Sequence, residues 1–298
     1  MQSKEASQSQ SHGIGVDWRR PGPFTPDERH AITRWYSELH GEGNLDLSSF
    51  LTFWLKHDEE VFKRYRRLVE ASFLSGTPSE TVSFLLFLPT YVVTGYEAGV
   101  LYELIGCHKT GVTKRQVLDA LALAFVHAGP MGMSDIAKAT DAYLEKWTSD
   151  PPYAGQIWPN GWDVDGEAFK SGLDFSTPGM TDGEVASLRA WHIANQGEIP
   201  SYVPFLGKWN PEALKAFRAR YEGAVHTLPK QLIPLMMFHT AAMQRAEGAM
   251  RRYAFQARHY GVKKSEMIEV ITFVLLYTGD LTSDVIVSAV QDLLETWE

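Results

Sequence analysis

The pattern of residues along the chain predicts an all-α protein, a tandem duplication of one helical unit. Four blocks of residues return in the same order. Thr25, Glu28, Trp35 and Gly41 come back as Thr181, Glu184, Trp191 and Gly197. Phe53, Lys56, Glu60, Lys63, Arg66 and Glu70 come back as Phe205, Lys208, Glu212, Lys215, Arg218 and Glu222. Pro78 and Phe87 match Pro229 and Phe238, while Glu97, Gly111, Val112, Lys114 and Gly129 match Glu247, Gly261, Val262, Lys264 and Gly279. The offset drifts from 156 residues (Thr25 to Thr181) to 150 (Glu97 to Glu247), as short loop deletions would cause. A period of that length implies a duplicated domain rather than a solenoid repeat. Within each unit the apolar residues fall at helical spacing, and no stretch alternates as a strand would.

The elements follow in order. Asp27 to Leu39 places Ala31, Ile32, Trp35 and Leu39 on one helical face. Val61, Tyr65, Leu68 and Val69 stripe a basic helix. Thr77-Pro78 and Leu228-Pro229 are start signals for the longest helix of each unit, and Gly111 and Gly261 stop those helices at a C′ position. Thr113 is the expected N-cap of the next helix, which runs to about His127. Gly129 and Gly279 break the chain again before amphipathic terminal helices that end near Trp147 and Trp297. The expected organisation is a disordered or extended tail over 1–22, a first repeat over 23–150, a connector over 151–178 and a second repeat over 179–298. The connector, rich in Pro and Gly, carries Trp158 and Trp162, which suit a segment packed on a surface as a strap or a lid.

Composition narrows the function classes. The chain has 298 residues, 44% hydrophobic and 21% charged, which suits a soluble globular protein with two core-forming units. A net charge of −8 gives no electrostatic reason to expect nucleic acid or an anionic membrane. The N-terminal stretch lacks the apolar core of a signal peptide, and the apolar run Val82 to Val93 is too short to span a bilayer, so a cytoplasmic protein is expected. Cys107 is the lone cysteine, which leaves no internal disulfide and no thiolate zinc cluster. Metal-binding spacings and phosphate-binding glycine loops do not occur, and no metal or other cofactor is expected.

Glu97 is the first catalytic candidate. Val93, Thr94, Val100 and Leu101 would flank it on a continuous helix, and a carboxylate desolvated there has the raised pKa that a general acid or base needs. Its counterpart Glu247 shares a helical face with His239, Met243 and Arg251, a set that reads either as an ion pair or as a carboxylate-binding face. His127, next to Phe125 and Val126, is a semi-buried imidazole that suits a proton shuttle or a satisfied core histidine equally. His108 and His259, near helix ends, read as partners of the helix dipole. Tyr96, Glu103 and Tyr253 lie on the long helices and would line the same cavity.

The run from Tyr96-Glu97 through Gly111-Val112-Thr113 to Gly129-Pro130, with its second copy at Gly261-Val262-Lys263 and Gly279, resembles the carboxymuconolactone decarboxylase-like superfamily, which includes the alkylhydroperoxidase-D-like proteins. The resemblance covers roughly 50–148 and 200–297 and implies an all-α, commonly oligomeric fold with a helical cavity for a small, often anionic, oxygenated molecule. The peroxidase branch needs a CxxC pair followed by His; the matching places hold Tyr96, Gly99 and Glu103, then Ala246, Ala249 and Tyr253. Dithiol peroxidase chemistry is therefore not expected. The decarboxylase branch carries a His eight residues before the stop glycine, where this chain has Glu103 and Tyr253.

These readings combine into one expectation. It is a cofactor-independent enzyme, a decarboxylase, isomerase or hydrolase, acting by acid–base catalysis on a small carboxylated or lactone-type substrate. Glu97 is its acid or base, assisted by His127 or Tyr96, and Glu103, His239, Glu247, Arg251 and Tyr253 serve binding. A homo-oligomer is expected. The alternative is a non-catalytic small-ligand-binding or scaffolding protein that keeps the fold. A redox role for Cys107 is disfavoured, because a helix C-terminus raises a thiol pKa.

Overall fold

The computed structural model of the chain describes residues 14–40, 49–72, 80–147 and 157–298. Every regular element among them is helical, and the single β-type pairing is an isolated bridge between Val164 and Pro229. The chain divides into two compact units, Met1–Phe73 and Leu74–Glu298, with the division inside the segment expected to be the first repeat.

The first unit holds α1 (Pro26–His40), α2 (Ser49–His57) and α3 (Glu59–Ser72). The expected tail differs from Ile14 onward: Ile14, Val16 and Trp18 are buried, and residues 1–13 lie outside the described residues. Trp18 meets Phe24 edge-on, and the guanidinium of Arg66 lies 5.0 Å from the Trp35 ring centre and 5.6 Å from that of Trp18. Lys63, also buried, donates to the Arg20 carbonyl at 2.8 Å. Cations inside a small unit are tolerable because each finds a ring face or a carbonyl.

The second unit is built around two apolar helices, α4 (Glu80–Thr94) and α11 (Leu232–Met243), which pack against each other. Both are hydrophobic all round, as a helix covered on every side must be. Around α4 lie α5 (Glu97–Lys109), α6 (Lys114–Ala128) and α7 (Pro130–Lys146). Around α11 lie α12 (Glu247–His259) and α13 (Lys264–Thr278), and α14 (Ser283–Glu295) packs on α12. Between the two sets come α8 (Asp182–Gln196), α9 (Tyr202–Trp209) and α10 (Pro211–Glu222).

The expected long helices are each broken once. At the first break Gly95 takes φ 65° and the Tyr96 N–H reaches back to the Tyr91 carbonyl at 2.9 Å. At the second, Arg245 takes φ 52° and the Ala246 N–H reaches the Ala241 carbonyl at 2.9 Å. Both closures are of the Schellman kind, which ends one helix before Glu97 or Glu247 starts the next. The stops at Gly111 and Gly261 use the same device, with Val112 N–H on the Cys107 carbonyl and Val262 N–H on the Ala257 carbonyl, both 3.0 Å. Thr113 is an N-cap as expected, in a capping box with Gln116. Gly132 is where α7 crosses α4: a Cβ there would lie 1.9 Å from the Val92 carbonyl oxygen.

The connector from residue 157 onward is strapped down. Lys230 N–H donates to the Asp163 carbonyl at 2.9 Å, Trp191 Nε1 to the Ala168 carbonyl at 3.1 Å, and Ser171 N–H to Glu222 at 2.9 Å. Trp162 is buried, and residues 148–156 lie outside the described residues. The helical run Lys264–Glu295 is long and apolar enough to cross a membrane by length and composition alone; a 3-10 turn over Gly279–Thr282 interrupts it, and part of it packs on α11 and α12.

A candidate anion site between α6, α8, α10 and α12

A cavity of about 250 Å³ opens where the end of α6, the faces of α8 and α10, and the start of α12 converge. Its lining includes two guanidinium groups, Arg218 and Arg252, and no carboxylate. In a chain of net charge −8 that local excess of positive charge is unusual.

Arg218 comes from α10 and is buried. Its Nε donates to Glu222 at 2.7 Å, one Nη donates to the Phe169 carbonyl, and its plane lies 3.8 Å from the Trp191 ring centre. The remaining Nη has no protein partner among the described residues, and the side chain borders the cavity. Arg252, from α12, spends one Nη on Glu198 at 2.9 Å and borders the same space. A guanidinium with unspent donors beside a void is suited to a carboxylate or another planar oxyanion.

Two histidines, three tyrosines and Gln196 complete the polar lining. His127 at the end of α6 and Tyr253 in α12 meet at 3.0 Å, Oη to Nδ1. The His127 ring is accessible from the void, yet the protein packed around it, and after that the Arg252 charge, hold its pKa down at about 4. Burial raises the Tyr253 hydroxyl well above the ordinary tyrosine range. The pair is therefore neutral near pH 7, with one group able to take a proton and the other able to give one. A carboxylate bound at Arg252 would cancel the repulsion and favour the imidazolium, moving His127 toward the range of a working base.

His192, on α8, is held by a directed chain of hydrogen bonds. Asn195 Nδ2 donates to the Trp191 carbonyl at 2.9 Å, which turns Asn195 Oδ1 to the Tyr260 hydroxyl at 2.9 Å. The Tyr260 hydroxyl also faces the Ala168 carbonyl at 3.0 Å, so its single proton is committed to acceptors. It must then accept from Gln256 Nε2, at 3.3 Å. Gln256 Oε1 in turn accepts from Gln196 Nε2 at 3.0 Å, and Gln196 Oε1 lies 2.8 Å from His192 Nδ1. The chain assigns the proton to Nδ1 and leaves Nε2 a bare acceptor, buried without a partner at the cavity wall. Burial lowers the His192 pKa to about 4.

The expected site residues divide between this place and others. His127 and Tyr253 are brought together. Glu97, expected to be desolvated, is instead exposed, because the break at Gly95 makes it the first residue of a new helix. Tyr96 sits at that break with its ring 5.5 Å from Tyr91, and neither it nor Glu97 lines the cavity. Glu103 is buried in α5, where burial pushes its carboxyl well up, and it too lies outside the cavity shared by Tyr253. The expected common face of His239, Met243, Glu247 and Arg251 does not form, because the chain turns at Arg245. Glu247 is exposed and accepts from Ser288 Oγ at 2.5 Å. Arg251 forms a fork with Asp292 at 2.7 and 2.6 Å instead of pairing with Glu247. His239 is a core histidine 2.7 Å from Thr90 Oγ1, ringed by Phe87 and Tyr277, with its pKa lowered by burial to about 3. His108 stacks on Trp147 at 4.3 Å. Arg218, His192, Tyr202 and Tyr221 were not singled out as site residues. Arg218 had a signal, its repetition with Glu222. Among the described residues no three His, Cys, Asp or Glu side chains are grouped as a metal site requires.

The low histidine pKa values fix a pH dependence of stability. His192 and His239 take up a proton less readily folded, at about 4 and about 3, than unfolded, at the ordinary 6.5. The folded state is therefore penalised as the pH falls below 6.5, and the penalty is complete below each folded value. Each of the two is expected to withdraw about 2 kcal/mol between pH 7.5 and pH 5. Urea unfolding of the parent and of His239→Gln at both pH values checks this. The variant should lose about 2 kcal/mol less on acidification, and an equal loss refutes the assignment.

The described chain is thus all-α, with a pocket that holds two guanidinium groups beside a histidine–tyrosine pair. Comparison of the chain with family models, curated proteins and solved structures finds no match.

Proposed function

We propose that this protein is a cofactor-independent enzyme that binds a small carboxylated substrate in the α6–α12 cavity and works by acid–base catalysis at the His127–Tyr253 pair. The observation that carries the reading is the cavity lining: Arg218 and Arg252 without a carboxylate, next to two neutral proton-handling groups 3.0 Å apart. Arg252 and the unspent Nη of Arg218 hold the substrate carboxylate. The Tyr253 hydroxyl donates to an oxygen that gains charge, and His127 accepts or returns the proton. Decarboxylation, isomerisation and lactone hydrolysis all fit those roles. The proposed substrate-handling residues are thus His127, Tyr253, Arg252 and Arg218 rather than Glu97.

Relationship to the carboxymuconolactone decarboxylase-like superfamily and origin by tandem duplication belong to the same proposal. Supporting them, α5 and α12 each span 13 residues and α6 and α13 each span 15. The Arg66 and Arg218 guanidiniums each lie over a tryptophan and reach a glutamate four residues on. The expected homo-oligomer draws support from Met131 and Leu281, matched positions that are each 72% exposed.

The test is turnover of a panel of lactones and β-keto acids. Tyr253→Phe and His127→Asn should each lower kcat about 100-fold or more while helicity is kept, and Glu97→Gln should leave turnover unchanged. Loss of activity in Glu97→Gln alone would overturn the assignment. Ligand binding without turnover of any panel member would favour the binding-protein reading, which the low pKa of His127 also favours.

A further inference from the structure

A second cavity, of about 370 Å³, backs onto the first. The two share His127, Ala249 and Tyr253 in their walls, so the partition between them is two rings and one methyl group. Their chemistry differs. The first carries Arg218 and Arg252; the second, closed by the C-terminal part of α11 and the start of α12, has no charged side chain in its lining. Its polar groups are either shared with the first cavity or already engaged, as Thr240 Oγ1 is with the Met236 carbonyl at 2.8 Å; Gln244 is the exception. Val93, Met237 and Ala241 supply apolar surface, which makes up about half of the lining.

Resting on the proposed anion site, we infer that the two cavities form one bipartite site for a carboxylate: the charged head lies at Arg218 and Arg252, and an uncharged body lies in the second cavity. Between them the His127 and Tyr253 rings meet edge-on, with the Tyr253 hydroxyl 3.0 and 3.4 Å from the two ring nitrogens of His127, and a ligand that takes over that hydroxyl and turns the rings aside lets the body pass the partition. The reacting atoms then fall at the partition, within reach of the only proton-handling groups common to both cavities. The substrate class narrows accordingly, from any small anion to carboxylates with an uncharged substituent several carbons long.

Calorimetric titration of the full-length protein with straight-chain carboxylates from butanoate to octanoate tests this. Affinity should rise with each methylene that enters the second cavity, by up to about fourfold where it is fully buried. Ala128→Phe, at the end of α6, and Ala246→Leu, at the start of α12, fill the second cavity from two different elements. Both should flatten the series while leaving butanoate binding unchanged, and both positions are outside the core, with folding checked by thermal melts. Equal affinity for all chain lengths in the parent overturns the bipartite site and leaves the anion site standing. A rise that persists undiminished in both variants also overturns it. If no carboxylate binds, the anion site itself falls, and the bipartite site with it.

Discussion

Gly132→Ala is expected to destabilise the protein by about 3 kcal/mol or more. The added methyl carbon would sit 1.9 Å from the Val92 carbonyl oxygen and 2.9 Å from its carbon. Those are backbone atoms in the last turn of α4, so no side chain can swing aside. The α7 helix would have to move away from α4 by more than an ångström, and close-packed interiors resist such shifts. Gly183→Ala is the control: the nearest atom to its new carbon is Thr181 Oγ1 at 3.8 Å, and helix propensity makes it neutral or favourable by up to about 1 kcal/mol. Equilibrium unfolding in urea measures both. Equal behaviour of the two variants would contradict the described crossing.

Arg218→Met is expected to cost about 3–5 kcal/mol, the usual effect of breaking a buried pair from one side. The substitution leaves the Glu222 carboxylate, 9% exposed, without its guanidinium and the Phe169 carbonyl without a donor. It also removes the cation from the faces of Trp191 and Tyr221. Glu222 keeps Ser171 N–H and Oγ, which limits the loss. Arg218→Met with Glu222→Gln should recover part of the stability, because the uncompensated charge goes while the donors from Ser171 still find an acceptor. Failure of the double variant to recover any would show that stacking, rather than the ion pair, carries the effect. For the binding role Arg252 is the cleaner probe, since its partner Glu198 is half-exposed and can rehydrate.

Much of the fold was legible because helix ends are written locally. The stops at Gly111 and Gly261 and the capping box at Thr113 depend on residues within one turn of each other. The break before Glu247 was not legible, because Arg245 takes a left-handed conformation with no glycine to mark it. That break undid two expectations together. Helical-face arithmetic assumes one continuous helix, and when the helix restarts at Glu247 its phase is reset, so Met243 and Arg251 no longer share a face. The break at Gly95 did the same to Glu97.

The site was legible only as separate residues. His127 was singled out for its type and its apolar neighbours, and Tyr253 for its place on a long helix, but 126 residues separate them and nothing local encodes their contact. The His192 chain contains two visible i, i+4 pairs, His192 with Gln196 and Gln256 with Tyr260, and its direction depends on Asn195 and Ala168, which only the fold brings to Tyr260. Arg218 carried a repeat signature shared with Arg66, yet the cavity on its open side is made by α6 and α12.

A crystal structure of the protein with benzoate decides whether the α6–α12 cavity is an anion site. The carboxylate is expected within hydrogen-bond distance of Arg252 and of the unspent Nη of Arg218, with the ring beside His127 and Tyr253. Benzoate bound elsewhere, or in this cavity with its carboxylate turned away from both guanidiniums, would contradict it.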